Sequence, residues 1–224
     1  MIKHKPQAIR VLLVDDHVVV RTGYRALLTN SEDIEVVAEA ETGEQACEKY
    51  AQHEPDVVVM DLSLPGISGF EATRRIISRN HAAQVLVFSM HDDTAFVEKS
   101  MQAGAKGYIT KDNAPETLIE AVIQVASGKE YLDPRLEKNM AFQKACNRTN
   151  LFSGLTTREF EIFCLLAQGE GAASIADRIC LSYKTVANYV TQIKSKLDVR
   201  TQAELVHLAM REGMIKPSAN QLDE

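Results

Sequence analysis

The stretch "VVVMDLSLPGISG" (57–69) decides the fold. Three valines and a methionine run together without polar alternation, which reads as a strand buried on both faces. Strands of that kind belong to parallel sheets covered by helices on each side. The run ends in a carboxylate, Asp61, followed by a loop with one proline and two glycines. A charge placed where a buried strand stops calls for a reason.

Outward from this stretch the same rhythm repeats. Apolar runs at 9–14, 34–40, 56–60, 84–90 and 106–110 read as strands. Segments 18–30, 43–53, 69–79, 94–104 and 115–128 read as helices, the last with Pro115 near its first turn and Gly128 beyond its end. Five strands alternating with five helices predict an α/β domain, a doubly wound five-stranded parallel sheet over residues 1–128. The rhythm is lost over 129–154, a polar stretch without a strand signal, which reads as a linker with a helix at 135–146. From Leu155 to residue 224 the pattern is helical throughout and predicts a small all-α domain. "TTRE" (156–159) and "TQAE" (201–204) match capping boxes, and Ser182 stands as the cap of a helix over 182–197.

Bulk properties narrow the class. Apolar residues make up 45% and charged residues 25%, enough to bury a core in an ordinary globular chain. No run is apolar for long enough to cross a bilayer, and "MIKHKPQAIR" (1–10) has no core of signal-peptide length, so a cytoplasmic protein is expected. Cys47, Cys146, Cys164 and Cys180 form no CxxC pair, which argues against a zinc site or a disulfide framework. Cys164 and Cys180 sit among apolar residues and read as small core residues. The net charge of −6 is unevenly spread. Residues 1–132 hold 13 basic and 20 acidic residues, whereas 178–200 carries Arg178, Lys184, Lys194, Lys196 and Arg200 against Asp198 alone. An acidic front with a basic stripe behind it suggests two domains with different partners.

In open parallel sheets, ligands bind beyond the carboxyl ends of the strands. Asp15 and Asp16 follow the first strand there, Asp61 the third, Ser89 lies near the end of the fourth, and Lys111 follows the fifth. A single aspartate at a strand end is usually a turn or capping residue. Five polar residues at the ends of four strands are better read as a site. Clustered carboxylates repel one another unless a cation or a lysine intervenes. An oxygen-only set with room for water suits Mg²⁺.

The set "VDDH" (14–17), "MDLSLPGISG" (60–69), "FSMHDD" (88–93) and "GYITKD" (107–112) resembles the receiver domain of two-component response regulators over residues 8–128. The resemblance implies a flavodoxin-like sheet, with Asp61 as phosphate acceptor and a sensor histidine kinase, or a phosphotransfer protein, as donor. It implies that Asp16 and Asp61 bind Mg²⁺ directly, Asp15 through water, and Ser63 through its backbone carbonyl. Lys111 and Ser89 would contact phosphoryl oxygens. Tyr108 would be the switch aromatic that moves inward as Ser89 is drawn to the phosphate. Asp112 stands where proline often follows the lysine, so an ordinary trans bond is expected there.

The C-terminal domain carries its own pattern. Val186, Val190, Ile193 and Leu197 form one apolar helix face, and Lys184, Ala187, Asn188, Thr191, Lys194 and Ser195 lie opposite. Residues 155–209 resemble the LuxR-type helix-turn-helix domain of the NarL/FixJ group, through "LTTRE", "LLAQG", "SYKTV" and "KLDVRTQAEL". The resemblance implies that helix 182–197 enters the major groove of double-stranded DNA. Arg178, Lys194, Lys196 and Arg200 would contact phosphates, and Lys184 and Thr185 belong to the same DNA-facing set. Asn188 can pair with adenine, and Ala187 or Thr191 can touch a thymine methyl. "VANYV" (186–190) departs from lysine-bearing relatives, so the target differs from theirs. Near-neutral charge across 155–224 suggests modest affinity per copy, hence a homodimer on a two-fold site, formed on phosphorylation.

The leading expectation is a phosphorylation-dependent transcriptional regulator and not an enzyme. Whether phosphorylation releases packing between domains or promotes dimerisation stays open. An aspartate-nucleophile phosphatase would carry a second aspartate where this chain has Ser63. A flavin or nucleotide module would need a glycine-rich loop in place of "DDH" (15–17). A helical output domain that binds protein in place of DNA is the remaining alternative.

Overall fold

The computed structural model describes residues 8–145 and 150–215, apart from the side chains of 113–116, 144 and 145. Residues 1–7, 146–149 and 216–224, including the end of the expected all-α domain, lie outside the described residues. The chain divides into two compact units, Met1–Cys146 and Asn147–Glu224.

In the first unit, strands and helices alternate: β1 (Ile9–Val14), α1 (Val18–Thr29), β2 (Ile34–Ala40), α2 (Gly43–His53), β3 (Val57–Met60), α3 (Gly69–Arg79), β4 (Val85–Ser89), α4 (Thr94–Gln102), β5 (Gly107–Thr110) and α5 (Ala114–Ala126). The sheet is parallel throughout, in the order β2-β1-β3-β4-β5-β6. The sixth strand, β6 (Tyr131–Leu132), corrects the expected five. Two residues are too short to leave a periodic signal, and Tyr108 pairs directly with Leu132. Beyond β6, α6 (Pro134–Ala145) follows the helix expected inside the linker. Both elements belong to the first unit: α6 packs on α4, where Thr94 Oγ1 donates to Gln143 Oε1 at 2.8 Å.

Strand parity explains the apolar runs. Val11, Leu13, Val57 and Val59 face one core with Leu118, Val122 and Val125 of α5. Leu12, Val14, Val58 and Met60 face the other with Ala46 of α2 and Ala72 and Ile76 of α3. Each of these strand residues is at most 1% exposed, so both sides of the sheet are dry. Full burial of an aliphatic side chain contributes about 1.5–3 kcal/mol, and this continuous double burial holds the strand ends in fixed places. The order reverses between β1 and β3, both of which pair with each other at the point where their connections leave in opposite directions. Ligands of such sheets bind outside the carboxyl ends at the switch point, and Asp15, Asp16 and Asp61 follow the ends of β1 and β3 there.

The second unit holds α7 (Thr157–Ala167), α8 (Ala172–Arg178), α9 (Tyr183–Lys196) and α10 (Gln202–Arg211). Phe160, Phe163, Ile175, Val186, Ile193 and Leu205 are fully buried at its centre. Thr156 and Glu159 form the expected reciprocal box. Thr201 does accept from Glu204 N at 3.1 Å, but Glu204 Oε2 reaches back one residue further, to Arg200 N at 2.8 Å. Cys180 is exposed and not a core residue: it takes φ 54° in the turn between α8 and α9, while its neighbour Ile179 is buried.

Candidate functional site

Asp61 comes directly after β3, and Lys111 directly after β5. The Lys111 ammonium bridges two carboxylates, with Nζ 2.6 Å from Asp15 Oδ2 and 2.6 Å from Asp61 Oδ2. All three groups are nearly sealed from solvent, at 7%, 1% and 5% side-chain exposure. Nζ also lies 5.7 Å from the centroid of the Phe88 ring. Burial pushes the Asp61 carboxyl above the ordinary aspartate value, and the pull of Lys111 only partly offsets it. Burial alone would lower the Lys111 ammonium, but Asp61 and Asp15 outweigh it and hold the group above its usual value. Lys111 is therefore a stable cation between the two acids.

The loop after β1 adds the rest. Asp15 Oδ1 accepts from His17 N at 2.8 Å, which turns the chain back toward the sheet. Ligand atoms of Asp15, Asp16, His17 and Asp61 all lie within 4.8 Å of one another. Asp16 Oδ1 is shielded from water and accepts no hydrogen bond, although His17 Nδ1 lies 2.7 Å away. A shielded carboxylate oxygen beside two more carboxylates fits a small hard cation with oxygen ligands. Ser63 meets the site through its backbone N–H, which donates to Asp61 Oδ1 at 3.3 Å.

The rim beyond β4 holds Ser89, which is fully buried and whose Oγ accepts from His91 N at 3.3 Å. Tyr108 is also fully buried, and its hydroxyl donates to the His91 carbonyl at 2.8 Å. Ser89 and Tyr108 therefore converge on one residue the sequence reading did not single out. The His91 ring stacks on Phe96 with centroids 3.8 Å apart, and burial lowers its pKa. Among the described residues no peptide bond is cis, and Asp112 follows Lys111 in an ordinary trans linkage.

Gly69 was also missed as a site residue. A Cβ there would sit 1.9 Å from the Asp61 carbonyl oxygen, so only glycine lets α3 start against the end of β3. Gly66, at φ 75°, turns the loop past the Glu44 carboxylate, whose Oε1 accepts from Ile67 N at 3.0 Å.

In the second unit, Ser182 caps α9 by accepting from Thr185 N at 3.1 Å. Its hydroxyl also lies 2.8 Å from Thr185 Oγ1, so Thr185 is engaged in the cap. Val186 and Ile193 are buried and set the helix's rotation. Lys184, Thr191 and Ser195 are left exposed along one stripe. Thr191 Oγ1 donates to the Ala187 carbonyl at 3.0 Å. Tyr183, 63% exposed at the first turn, borders the same stripe and was not foreseen. Two of the expected phosphate-contacting cations have partners within the unit: Arg178 pairs with Glu170, and Lys196 Nζ lies 2.6 Å from Glu159 Oε2. Arg200 is exposed, and its backbone N–H is the donor to Glu204.

Comparison with known proteins adds family membership to this geometry. Residues 11–123 match the response regulator receiver domain, and residues 153–209 match the bacterial regulatory proteins of the LuxR family. The chain is 41% identical over 212 residues to the transcriptional activator protein ExaE of Pseudomonas putida, covering 93% of this chain and 99% of that one. It is 38% identical over 208 residues to the response regulator UvrY of Escherichia coli K12, covering 92% and 95%. A solved structure of the RcsB response regulator of Salmonella typhimurium, 22% identical, matches with a TM-score of 0.76 over 92% of this chain and 98% of that one, a likeness of fold. With both domain types present in this order, and relatives matched over nearly their full length, the chain belongs to the NarL/FixJ family of response regulators.

Proposed function

We propose that Asp61 accepts a phosphoryl group from a sensor histidine kinase or a phosphotransfer protein, and that this acceptance governs DNA binding by α9. The observation that carries the reading is the Lys111 ammonium held 2.6 Å from both Asp15 and Asp61 at the sheet's switch point. Asp61 has the neighbours that an acceptor needs, the Lys111 ammonium at 2.6 Å and the Asp15 and Asp16 carboxylates within the same 4.8 Å cluster. Its carboxylate oxygen forms a bond to phosphorus while the donor's bond to phosphorus breaks, the electron pair leaving with the donor. Asp16, Asp61 and Asp15 would hold Mg²⁺, with the Ser63 carbonyl completing the set. The ion supplies charge neutralisation at the transferring phosphoryl oxygens.

The remaining residues respond once the group has been transferred. Phosphorylation of Asp61 turns its carboxylate into an acyl phosphate, leaving the Lys111 ammonium to pair with a phosphoryl oxygen. The Ser89 hydroxyl has its own hydrogen to donate to another. Drawing Ser89 inward pulls on His91, whose carbonyl holds the Tyr108 hydroxyl. A local charge change thereby biases a buried two-state element. In the second unit, the stripe of Lys184, Asn188 and Thr191 supports major-groove contact, with Asn188 suited to adenine and Thr191 to a thymine methyl. Lys194 and Arg200 are suited to phosphates.

The test is labelling by acetyl phosphate with Mg²⁺. Parent chain should gain an acid-labile phosphoryl group and Asp61→Asn should gain none. Full labelling of the Asn variant would refute the acceptor assignment.

A further inference from the structure

We infer that Arg21 is a positioning residue for the cation site, acting through the backbone of the acidic loop. This rests on the proposed Mg²⁺ site at Asp15, Asp16 and Asp61. Arg21 lies in the first turn of α1, on a helix whose first two residues, Val18 and Val19, are exposed. Its own side chain is 8% exposed, and a guanidinium so enclosed needs its donors matched. Each of its three nitrogens has a partner. Nε donates to Glu39 Oε2 at 3.0 Å, Nη2 to Glu41 Oε1 at 2.6 Å, and Nη1 to the Asp15 carbonyl at 2.6 Å.

The geometry explains what the third bond does. The guanidinium is a rigid planar fork, so two carboxylates at the end of β2 fix the direction of its remaining donor. That donor holds the carbonyl of the peptide joining Asp15 to Asp16. A peptide unit is planar, so fixing its oxygen fixes the plane from which the two side chains diverge. Asp15 is otherwise held by its N–H to the Ala40 carbonyl at 3.1 Å and by the two bonds to its own carboxylate. Asp16 is held less firmly: its shielded Oδ1 meets the largely exposed His17 imidazole, Nδ1 at 2.7 Å, and no buried donor. Its aim at the cluster depends on the Asp15–Asp16 peptide, and Arg21 grips that peptide.

The experiment is calorimetric titration of full-length protein with Mg²⁺, alongside the Mg²⁺ dependence of acetyl-phosphate labelling. Arg21→Gln should weaken Mg²⁺ binding by about tenfold, the loss typical when an outer partner of a metal ligand is removed. At saturating Mg²⁺ the maximal labelling rate should return close to the parent's. Arg25→Gln removes an ion pair to the same Glu39 without touching Asp15, and should leave Mg²⁺ binding unchanged. A lowered melting temperature without Mg²⁺, joined to an unchanged dissociation constant, would make Arg21 merely structural and overturn the inference. Should Arg21→Gln fail to fold, Glu41→Gln carries the test. Glu41 is largely exposed, its loss frees one arm of the fork, and a smaller rise in the Mg²⁺ dissociation constant is expected. No rise in that variant would overturn the inference equally. A parent chain that binds no Mg²⁺ would overturn both this role and the reading of the site. A parent that binds beside a variant that binds equally overturns the role of Arg21 alone.

Discussion

Burial does two opposed things to Asp61. It keeps water from the proposed nucleophile, and it makes the ionised form harder to hold, so the carboxyl sits above the ordinary aspartate value of 3.8. A protonated carboxyl is no nucleophile. The initial rate of labelling by acetyl phosphate should therefore fall on acidification at a pH above that value. Mg²⁺ competes with the proton for the same oxygens, so more Mg²⁺ should move the midpoint to lower pH. A midpoint at the ordinary value that ignores Mg²⁺ would contradict this picture of the site. Gly69 is the residue on which Asp61's placement most directly depends. In Gly69→Ala the new methyl meets the Asp61 carbonyl at 1.9 Å, so strand end and helix start must part. Displacing the proposed acceptor by an ångström should slow labelling on the order of a hundredfold. Labelling at the parent's rate would show that the loop adapts without moving Asp61.

At the scale of elements, α7 and α9 are tied by one buried carboxylate. Glu159 closes the capping box with Thr156 and also accepts from Lys196 at the end of α9. Burial alone would raise its carboxyl, but the bonds from Lys196 and Thr156 outweigh it and hold the group below its ordinary value. A lowered carboxyl stabilises the folded unit above its unfolded value and stops doing so as pH falls through the folded one. Glu159→Gln should cost about 1–3 kcal/mol at neutral pH. The difference from the parent in thermal melting should shrink below pH 4.5. A difference that persists undiminished in acid would place the effect elsewhere than in this charge.

The elements that could be read in advance are those with a physical period. Val57–Met60 shows as a strand because both its faces are buried, and Gly43–His53 as a helix because Ala46 and Tyr50 recur on one side. Asp15, Asp16, Asp61, Ser89 and Lys111 could be found because each stands at a strand end, a place sequence marks well. Tyr131–Leu132 could not, being two residues whose strand state comes from pairing with β5. Arg21 and His91 were hidden for another reason. Their roles rest on bonds to backbone carbonyls, from Arg21 to that of Asp15 and from Tyr108 to that of His91, which no side-chain spacing records. Lys196 looked like a free cation on a basic stripe, and only folding brings it to Glu159, 37 residues away in sequence.

Across the whole molecule, charge divides the labour. The acidic first unit gathers carboxylates around one lysine, while residues 178–200 concentrate five cations against one aspartate. With Arg178 and Lys196 paired inside their unit, the proposed phosphate contacts of each copy fall to Lys194 and Arg200. On the proposed function, so few contacts should give weak binding for one copy, and two copies on a two-fold site should recover affinity. The proposed function links the chemistry of the two units: a phosphoryl group on Asp61 would control DNA binding by α9. The most direct measurement is selection of bound double-stranded DNA fragments by the full-length protein, with and without acetyl phosphate and Mg²⁺, for parent and Asp61→Asn. A common two-fold motif is expected, enriched with phosphodonor in the parent only, with binding that weakens steeply with salt. Enrichment that is the same with and without phosphodonor, or no salt-dependent DNA binding under any condition, would contradict it.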